Sequence, residues 1–208
     1  NAFGNQASDF AQALTILTGM GSIDKLTLLP LKDTISSRNI LAKTNRWCPL
    51  CFEEWKTKGI SIYEPLIWSI KSISICVEHN ILLSNTCPNC NKAIPHLTTA
   101  SRNGFCPFCD SWLGSDSHIS ALDMKPEMIS WEYYTAKSIG SLIKNEQDFK
   151  YRFDNLYSQL ITAIKYSGGV SAFSKRLDIS KSTVSTWIGG EHKPSLDALT
   201  LPQILYQA

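Results

Sequence analysis

Seven cysteines and one histidine between residues 48 and 109 have the spacing of metal ligands. They form four units of two, with two residues between the members of each unit: Cys48 and Cys51, Cys76 and His79, Cys87 and Cys90, and Cys106 and Cys109. Two donors at this spacing fit one tight turn that directs both at the same ion, and proline directly follows the first cysteine in three of the units. The pattern therefore predicts eight ligands for two tetrahedral zinc ions.

The four units can close two sites in two ways. Sequential pairing gives a site of three cysteines and one histidine with a 24-residue insert, and a site of four cysteines with a 15-residue insert. A cross-brace, which joins the first unit to the third and the second to the fourth, has the same ligand count. Closing short loops costs less chain entropy, so sequential pairing is favoured. In either arrangement protein ligands fill every position, which is typical of a structural zinc.

Other chemistry for these side chains stays open. The cysteines can be free or disulfide-bonded, although an odd number cannot pair completely within one chain and a reducing compartment disfavours disulfides. His79 can be a surface histidine, whereas His96 and His118 are predicted to be plain loop histidines. Iron can replace zinc in the all-cysteine site, because four thiolates also bind iron.

The 24-residue insert predicts short strands that lead into the second ligand unit. Ile60, Ile62 and Tyr63 form one run of β-branched and aromatic residues, and residues 66–75 form another. Such runs are typical of buried strands. We expect them to pack as a small core beside the first metal site.

Helical patterns begin after a polar linker at residues 115–120. Pro126 suits a first helical position, and apolar residues then recur at helical spacing. A second helix is predicted from Phe149 to Tyr166, where two glycines end it.

Residues 170–189 predict a helix, a turn and a second helix. Ser171 and Ser180 are the candidate caps of the two helices. Asp178 stands at the turn, where glycine is usual, and Asp tolerates left-handed backbone better than most residues. Val184, Trp187 and Ile188 of the second helix are predicted to face the core.

The polar side of that second helix is the candidate surface for double-stranded DNA. The predicted contact residues are Ser180, Lys181, Ser182, Thr183, Ser185, Thr186 and Lys193. Short polar side chains near a helix start suit base edges in the major groove, and cations suit phosphates. A motif used only for protein contacts is the alternative, because the charge of this region is modest.

Composition and hydropathy bear on the number of domains, on the location of the basic charge and on membrane association. The 208 residues include 43% hydrophobic side chains, which suffices for one large or two small domains. The formal charge is +2, and residues 150–208 are the basic part, with seven Lys or Arg against four Asp or Glu. No apolar run approaches the ~20 residues of a membrane span, so we expect a cytoplasmic, nucleoid-associated protein.

The sequence offers no pattern for catalysis. Acidic residues such as Glu53, Glu54, Asp110 and Asp116 are scattered without the paired arrangement that acid–base chemistry needs. We therefore expect a protein that is not an enzyme.

The order of the ligand units and the aromatic segment between them resembles the TniQ/TnsD family. The matching motifs are Arg46-Trp-Cys-Pro-Leu-Cys51, Tyr63-Glu-Pro-Leu-Ile-Trp68, Cys76-Val-Glu-His79 and Cys87-Pro-Asn-Cys90. The resemblance implies a target selector of bacterial transposons, including CRISPR-associated ones, that recruits an AAA+ ATPase regulator, which engages the transposase. The segment that starts at Val170 similarly resembles a Cro/XRE-type helix-turn-helix over about 40 residues, with a turn at Gly190–Leu196 that leads into a further helix toward Leu205.

The start of the chain departs from that family pattern. Family members open with a helix that contains a Glu-Ser-plus-aromatic motif, which this sequence lacks, and the chain begins at Asn1. We therefore expect a truncated N-terminal segment. Phe10, Ala13, Leu14 and Leu17 recur at helical spacing and predict a helix there.

Together these features predict a small α+β module stabilised by zinc, with tandem zinc knuckles or a ribbon, and an all-α helix-turn-helix domain. The expected boundaries are 1–46 for an N-terminal helical segment, 47–115 for the zinc module, 116–149 for a linker and connecting helix, and 150–208 for the helix-turn-helix. The predicted function is a DNA-binding target-site adaptor. The alternative is a protein-only adaptor that docks on an RNA-guided CRISPR effector or on the ATPase.

Overall fold

A computed structural model describes residues 3–21, 23–32, 35–116, 126–144 and 146–199. The chain forms two compact units. The central unit is Leu41–Gly140, and the terminal unit combines Asn1–Ile40 with Ser141–Ala208. The N-terminal segment thus belongs to the same unit as the helix-turn-helix region. Local sequence patterns did not predict this grouping, because its two parts are separated by the whole central unit.

Within the described residues, the regular elements are helices and one two-stranded sheet. The helices are α1 (Asn5–Thr18), α2 (Pro49–Thr57), α3 (Pro126–Lys144), α4 (Glu146–Tyr166), α5 (Val170–Leu177) and α6 (Lys181–Ile188). The strands β1 (Ile75–Cys76) and β2 (Ile81–Leu82) pair antiparallel, with Ile75 opposite Leu82 and Cys76 opposite Ile81. Single-turn 3-10 helices lie at Ile23–Leu26, Leu29–Leu31 and Leu66–Ser69. None of the helices in the described parts of the chain is long and apolar enough to cross a membrane.

The prediction of strands throughout the 24-residue insert is wrong for most of its length. Only Ile75 and Cys76 form a strand, whereas Leu66–Ser69 is a 3-10 helix and Ile60, Ile62 and Tyr63 lie in no strand. Pro65 precedes the 3-10 helix, and proline cannot donate to a strand ladder. The apolar side chains of the insert still pack beside the first ligand unit, because Trp68 and Cys76 belong to one buried cluster with Phe52.

Arg46 takes the place of strand partners in this insert. Its Nε donates to the carbonyl oxygen of Trp68 at 3.0 Å, and its guanidinium also donates to the carbonyls of Ile70 and Ile73. A guanidinium has five N–H donors, so one side chain can satisfy several carbonyls of the insert at once. Burial lowers the pKa of Arg46, and the negative charge of Glu132 opposes that effect.

In the terminal unit, the segment predicted as a helix-turn-helix forms two helices, α5 and α6, joined at Asp178. Asp178 has φ 53° and ψ 42°, which confirms the left-handed turn between the helices. Phe173, Val184 and Trp187 are buried, and the Tyr157 hydroxyl donates to the carbonyl of Trp187. These contacts fix α6 against α5 and α4.

Two predicted details of this motif are wrong. Ser171 does not cap α5, because the helix begins at Val170 and its N-cap is Gly169. Gly169 has φ 86°, which glycine adopts more readily than other residues. Ile188 does not face the core, since 44% of it is exposed at the last residue of α6. The cap at Ser180 is confirmed, because its Oγ accepts from the backbone N–H of Thr183 at 3.1 Å.

The N-terminal segment contains the predicted helix. α1 ends at Gly19, whose φ of 65° is the left-handed geometry typical of a helix terminus. Phe10 is 66% exposed and Leu17 81% exposed, whereas Ala11 is buried. The apolar stripe of α1 therefore faces outward from the described part of the terminal unit.

Candidate metal centres and nucleic-acid interface

The first ligand cluster brings together Cys48, Cys51, Cys76 and His79. Their donor atoms all lie within 4.8 Å of one another. Cys51 Sγ is 3.6 Å from Cys76 Sγ, and His79 Nδ1 is 3.3 Å from Cys51 Sγ. Two donors on one tetrahedral zinc ion are separated by about 3.7 Å, whereas a disulfide joins sulfurs at about 2.05 Å. The spacing therefore fits four ligands of one ion.

Helix α2 and the β1–β2 hairpin position these four ligands. Cys48 is the N-cap of α2, and its Sγ accepts from the backbone N–H of Cys51 at 3.4 Å. Cys76 ends β1, and His79 lies in the turn before β2. Each unit is thus a local turn, and the ion would join the helix to the hairpin.

The second cluster brings together Cys87, Cys90, Cys106 and Cys109, whose sulfurs also lie within 4.8 Å of one another. Cys87 Sγ is 3.7 Å from Cys109 Sγ, and Cys90 Sγ is 3.7 Å from Cys106 Sγ. These distances again match the edges of a tetrahedron around one zinc ion. The structure thus has the sequential arrangement of ligand units and not the cross-brace.

Sequence analysis missed the residues that close three of the four ligand turns. Asn80, Asn91 and Asp110 each directly follow a second ligand, with φ of 53°, 56° and 53°. The backbone N–H of Asn91 donates to the carbonyl of Cys87, and that of Asp110 donates to the carbonyl of Cys106, both at 2.9 Å. Asn and Asp are the residues other than glycine that most readily adopt this geometry. Their recurrence after the second ligand was a readable signal.

Neighbouring groups lower the pKa of one cysteine in each cluster. Cys48 and then Cys51 stabilise the Cys76 thiolate and lower its pKa to about 2. In the second cluster the Ser111 hydroxyl lies 3.2 Å from Cys109 Sγ, and this contact lowers the pKa of Cys109 to about 6. Thiolate and imidazole donors in a closed tetrahedron are the set that structural zinc prefers. The residues present therefore fit zinc.

The exposed part of α6 is smaller than the sequence predicts. Three of the predicted side chains on α6 are exposed, Lys181, Ser182 and Ser185, and the Ser182 hydroxyl lies 3.0 Å from that of Ser180. Thr183 and Thr186 are half-buried, and the Thr186 hydroxyl donates to the carbonyl of Thr183 at 2.9 Å. Lys193 Nζ donates to the carbonyl of Lys32 at 3.2 Å. DNA contact by any of these residues stays a prediction.

Comparison with known families gives a match over part of the chain. Residues 9–83 match the TniQ family model. This stretch includes the first ligand cluster and ends just after β2, so the second cluster and the helix-turn-helix lie outside it. TniQ domains are associated with target selection and adaptor function in transposition, and TniQ proteins are non-enzymatic adaptors. The chain matches none of the curated proteins.

Proposed function

We propose that this chain is a DNA-binding target-site selector of a bacterial transposition system. It marks the insertion site and recruits an AAA+ ATPase regulator and, through it, the transposase. The observation on which this proposal depends is the TniQ match over residues 9–83. The action would take place on DNA in the cytoplasm, at the nucleoid.

The geometry of α6 supports the reading of DNA. Lys181, Ser182 and Ser185 are exposed at the start and middle of the helix, and the N-terminal N–H groups of a helix favour phosphate. Side chains of this size hydrogen-bond to base edges without holding the helix away from the groove. The buried contacts of Val184 and Trp187 would keep this face in a constant position.

We further propose that each ligand cluster binds one zinc ion. Cys48, Cys51, Cys76 and His79 would hold the first, and Cys87, Cys90, Cys106 and Cys109 the second. Zinc with four protein ligands supplies a cross-link and no catalytic chemistry. The role of the two sites would be to hold the central unit rigid for its partners.

A protein-only adaptor is the second candidate function. It is favoured by the outward apolar stripe of α1, where Phe10 is 66% exposed and Leu17 81% exposed. An apolar stripe of this kind suits a protein groove better than a nucleic acid. In this function the chain would dock on the ATPase or on an RNA-guided CRISPR effector, and α6 would contact protein.

Selection of duplexes from a genomic fragment library separates the two functions. The intact, zinc-loaded chain should enrich particular duplexes over random DNA at physiological salt. Ser185→Ala should reduce that enrichment, and Lys181→Ala should weaken binding. Lys165→Ala, which alters an exposed cation on α4, serves as the matched control and should behave like the parent chain.

Two outcomes would decide against sequence reading. One is a chain that shows no preference among duplexes. The other is an enrichment that Ser185→Ala and Lys181→Ala leave unchanged. Capture of the ATPase by a chain that binds no DNA would support the protein-only adaptor.

A further inference from the structure

The loop Ser36–Asn39 in the N-terminal segment is held next to the turn that follows α6. The backbone N–H of Ser36 donates to the carbonyl of Pro194 at 3.1 Å. One residue earlier in that turn, Lys193 Nζ donates to the carbonyl of Lys32 at 3.2 Å. Two hydrogen bonds thus join segments that are far apart in sequence but belong to the same unit.

Both ends of this loop are anchored in the core. Ile35 is 2% exposed and Ile40 6% exposed, so the four residues between them form a short arch on the surface. Within the arch, the backbone N–H of Arg38 donates to Ser36 Oγ at 3.3 Å. Asn39 adopts φ 55°, which turns the chain back toward Ile40. The arch therefore has a defined backbone conformation.

The side chains of the arch are donors and include no carboxylate. Ser37, Arg38 and Asn39 are all exposed. The guanidinium of Arg38 has no ion-pair partner within the described stretches of the chain. Arginine, serine and asparagine side chains and backbone N–H groups are among the groups that contact DNA phosphates.

The position of the arch relative to α6 suits a phosphate ridge. The turn after α6 folds back along the helix, since the backbone N–H of His192 donates to the carbonyl of Thr186 at 3.3 Å. α6 has eight residues and is therefore about 12 Å long, close to the ~12 Å width of the major groove. When its start lies among base edges, the turn at its other end meets the sugar-phosphate backbone that borders the groove.

We propose that the Ser36–Asn39 arch is a phosphate-binding surface that acts together with α6, with Arg38 as its cation and Ser37 as a hydrogen-bond donor. The inference rests on the proposed DNA-binding function and extends it to the N-terminal segment. Its partner is the backbone of the same duplex whose bases α6 reads.

Salt dependence of binding tests this proposal. Affinity of the intact, zinc-loaded chain for an enriched duplex and for a random duplex is measured by fluorescence anisotropy between about 50 and about 200 mM salt. Log affinity falls as log salt rises, and each phosphate contact by a cation makes this negative slope steeper by about 0.9. Arg38→Gln should therefore make the slope shallower by about 0.9 and weaken binding to both duplexes equally.

Four further variants test the sign of the effect and provide the control. Arg38→Lys should restore the slope, because it restores the charge. Ser37→Asp should weaken binding more than Arg38→Gln, and Glu191→Gln, which removes a carboxylate from the turn after α6, should strengthen it. Lys165→Gln removes a cation from α4 and should leave the slope unchanged. The melting temperature and zinc content of every variant should equal those of the parent chain.

The possible results separate this inference from the proposed function. Suppose that the chain binds duplexes, that Ser185→Ala removes its preference among them and that Arg38→Gln keeps the full salt slope. This result would overturn the proposal that the arch binds phosphate and would leave the proposed function intact. A chain that binds no duplex would overturn both. A slope that falls in Arg38→Gln and in Lys165→Gln alike would also overturn the arch, since the loss would then be general.

Discussion

Glu54 Oε2 lies 3.4 Å from His79 Nε2, on the side of the imidazole ring opposite to the nitrogen that faces Cys51 Sγ at 3.3 Å. Cys51 and Glu54 are three residues apart in α2, so a single helix supplies both a ligand and the group that orients another ligand. Lys58 contacts the same carboxylate and lowers the pKa of Glu54. The contact between Glu54 and His79 Nε2 leaves His79 Nδ1 as the ring nitrogen available to the ion.

The first prediction concerns this orienting carboxylate. Glu54→Ala should lower zinc affinity at the first cluster by about 10- to 100-fold, the usual effect of removing a group that orients a metal-bound histidine. Competition with a chromophoric chelator measures the affinity of each site. Glu78→Ala removes an exposed carboxylate next to His79 and is the control. Equal affinities in the two variants would show that Glu54 does not orient the ligand.

The second prediction concerns metal content. The parent chain should contain about two zinc ions, one for each four-ligand cluster. Cys90→Ser should reduce the zinc content to about one ion per chain, because the second cluster then has only three of its four ligands while the first cluster is intact. His96→Ala should keep about two, since His96 belongs to neither cluster and contacts the carbonyl of Ala42. Elemental analysis of purified protein checks these ratios, and loss of both ions in Cys90→Ser would contradict independent sites.

The third prediction concerns the left-handed residues that close the ligand turns. Asn91→Val should destabilise the zinc-loaded chain by about 1–2 kcal/mol, because a β-branched side chain clashes at the φ of 56° that Asn91 adopts. Asn91→Gly should cost much less, since glycine adopts this geometry without strain. Thermal unfolding with zinc present measures both. If valine and glycine proved equal, backbone geometry at this position would not limit stability.

The fourth prediction concerns protons released by zinc. Burial raises the pKa of Cys106 to about 11, whereas Ser111 lowers that of Cys109 to about 6. At pH 7 we therefore expect Cys106 to be protonated and Cys109 to be mostly ionised in the metal-free cluster. Zinc needs thiolates, so its binding should release the Cys106 proton and weaken as pH falls, more steeply below about 6.

Calorimetry in buffers of different ionisation enthalpy counts these protons. The apparent binding enthalpy should change with the buffer at pH 7, and the change should grow as pH is lowered through the pKa of Cys109. A binding enthalpy independent of the buffer would mean that the cluster is fully ionised before zinc arrives. Binding in Ser111→Ala should release additional protons at pH 7, because Cys109 would lose the contact that lowers its pKa.

Much of the local structure could be predicted from the sequence. The two-residue spacing of the ligand units, the cap at Ser180 and the turn at Asp178 each depend on a few neighbouring residues and their backbone preferences. The helical periodicity of α1 and α6 also lies within single segments. The exposure of Ile188 was not readable in this way, because burial at a helix end depends on where the following chain turns.

Long-range relationships were decided by tertiary structure. The ligand count allowed both sequential and cross-brace pairing, and only the folded chain brings Cys51 to Cys76 and Cys90 to Cys106. In the insert, the β-branched pattern predicted strands, but Arg46 satisfies the carbonyls there, so no ladder is needed. A side chain 22 residues away in sequence supplies those donors, and no local preference reports it.

What the sequence by itself determined is the local chemistry: eight candidate ligands in four units and a polar, exposed face on α6. Both features follow from residue types and from spacings of three or four residues, because the local geometry of turns and helices places residues at these spacings side by side. What only the tertiary structure decided is which distant segments meet, above all the contact of Ser36 with Pro194. Such contacts depend on burial and hydrogen bonding summed over the whole unit, which no short stretch of sequence contains.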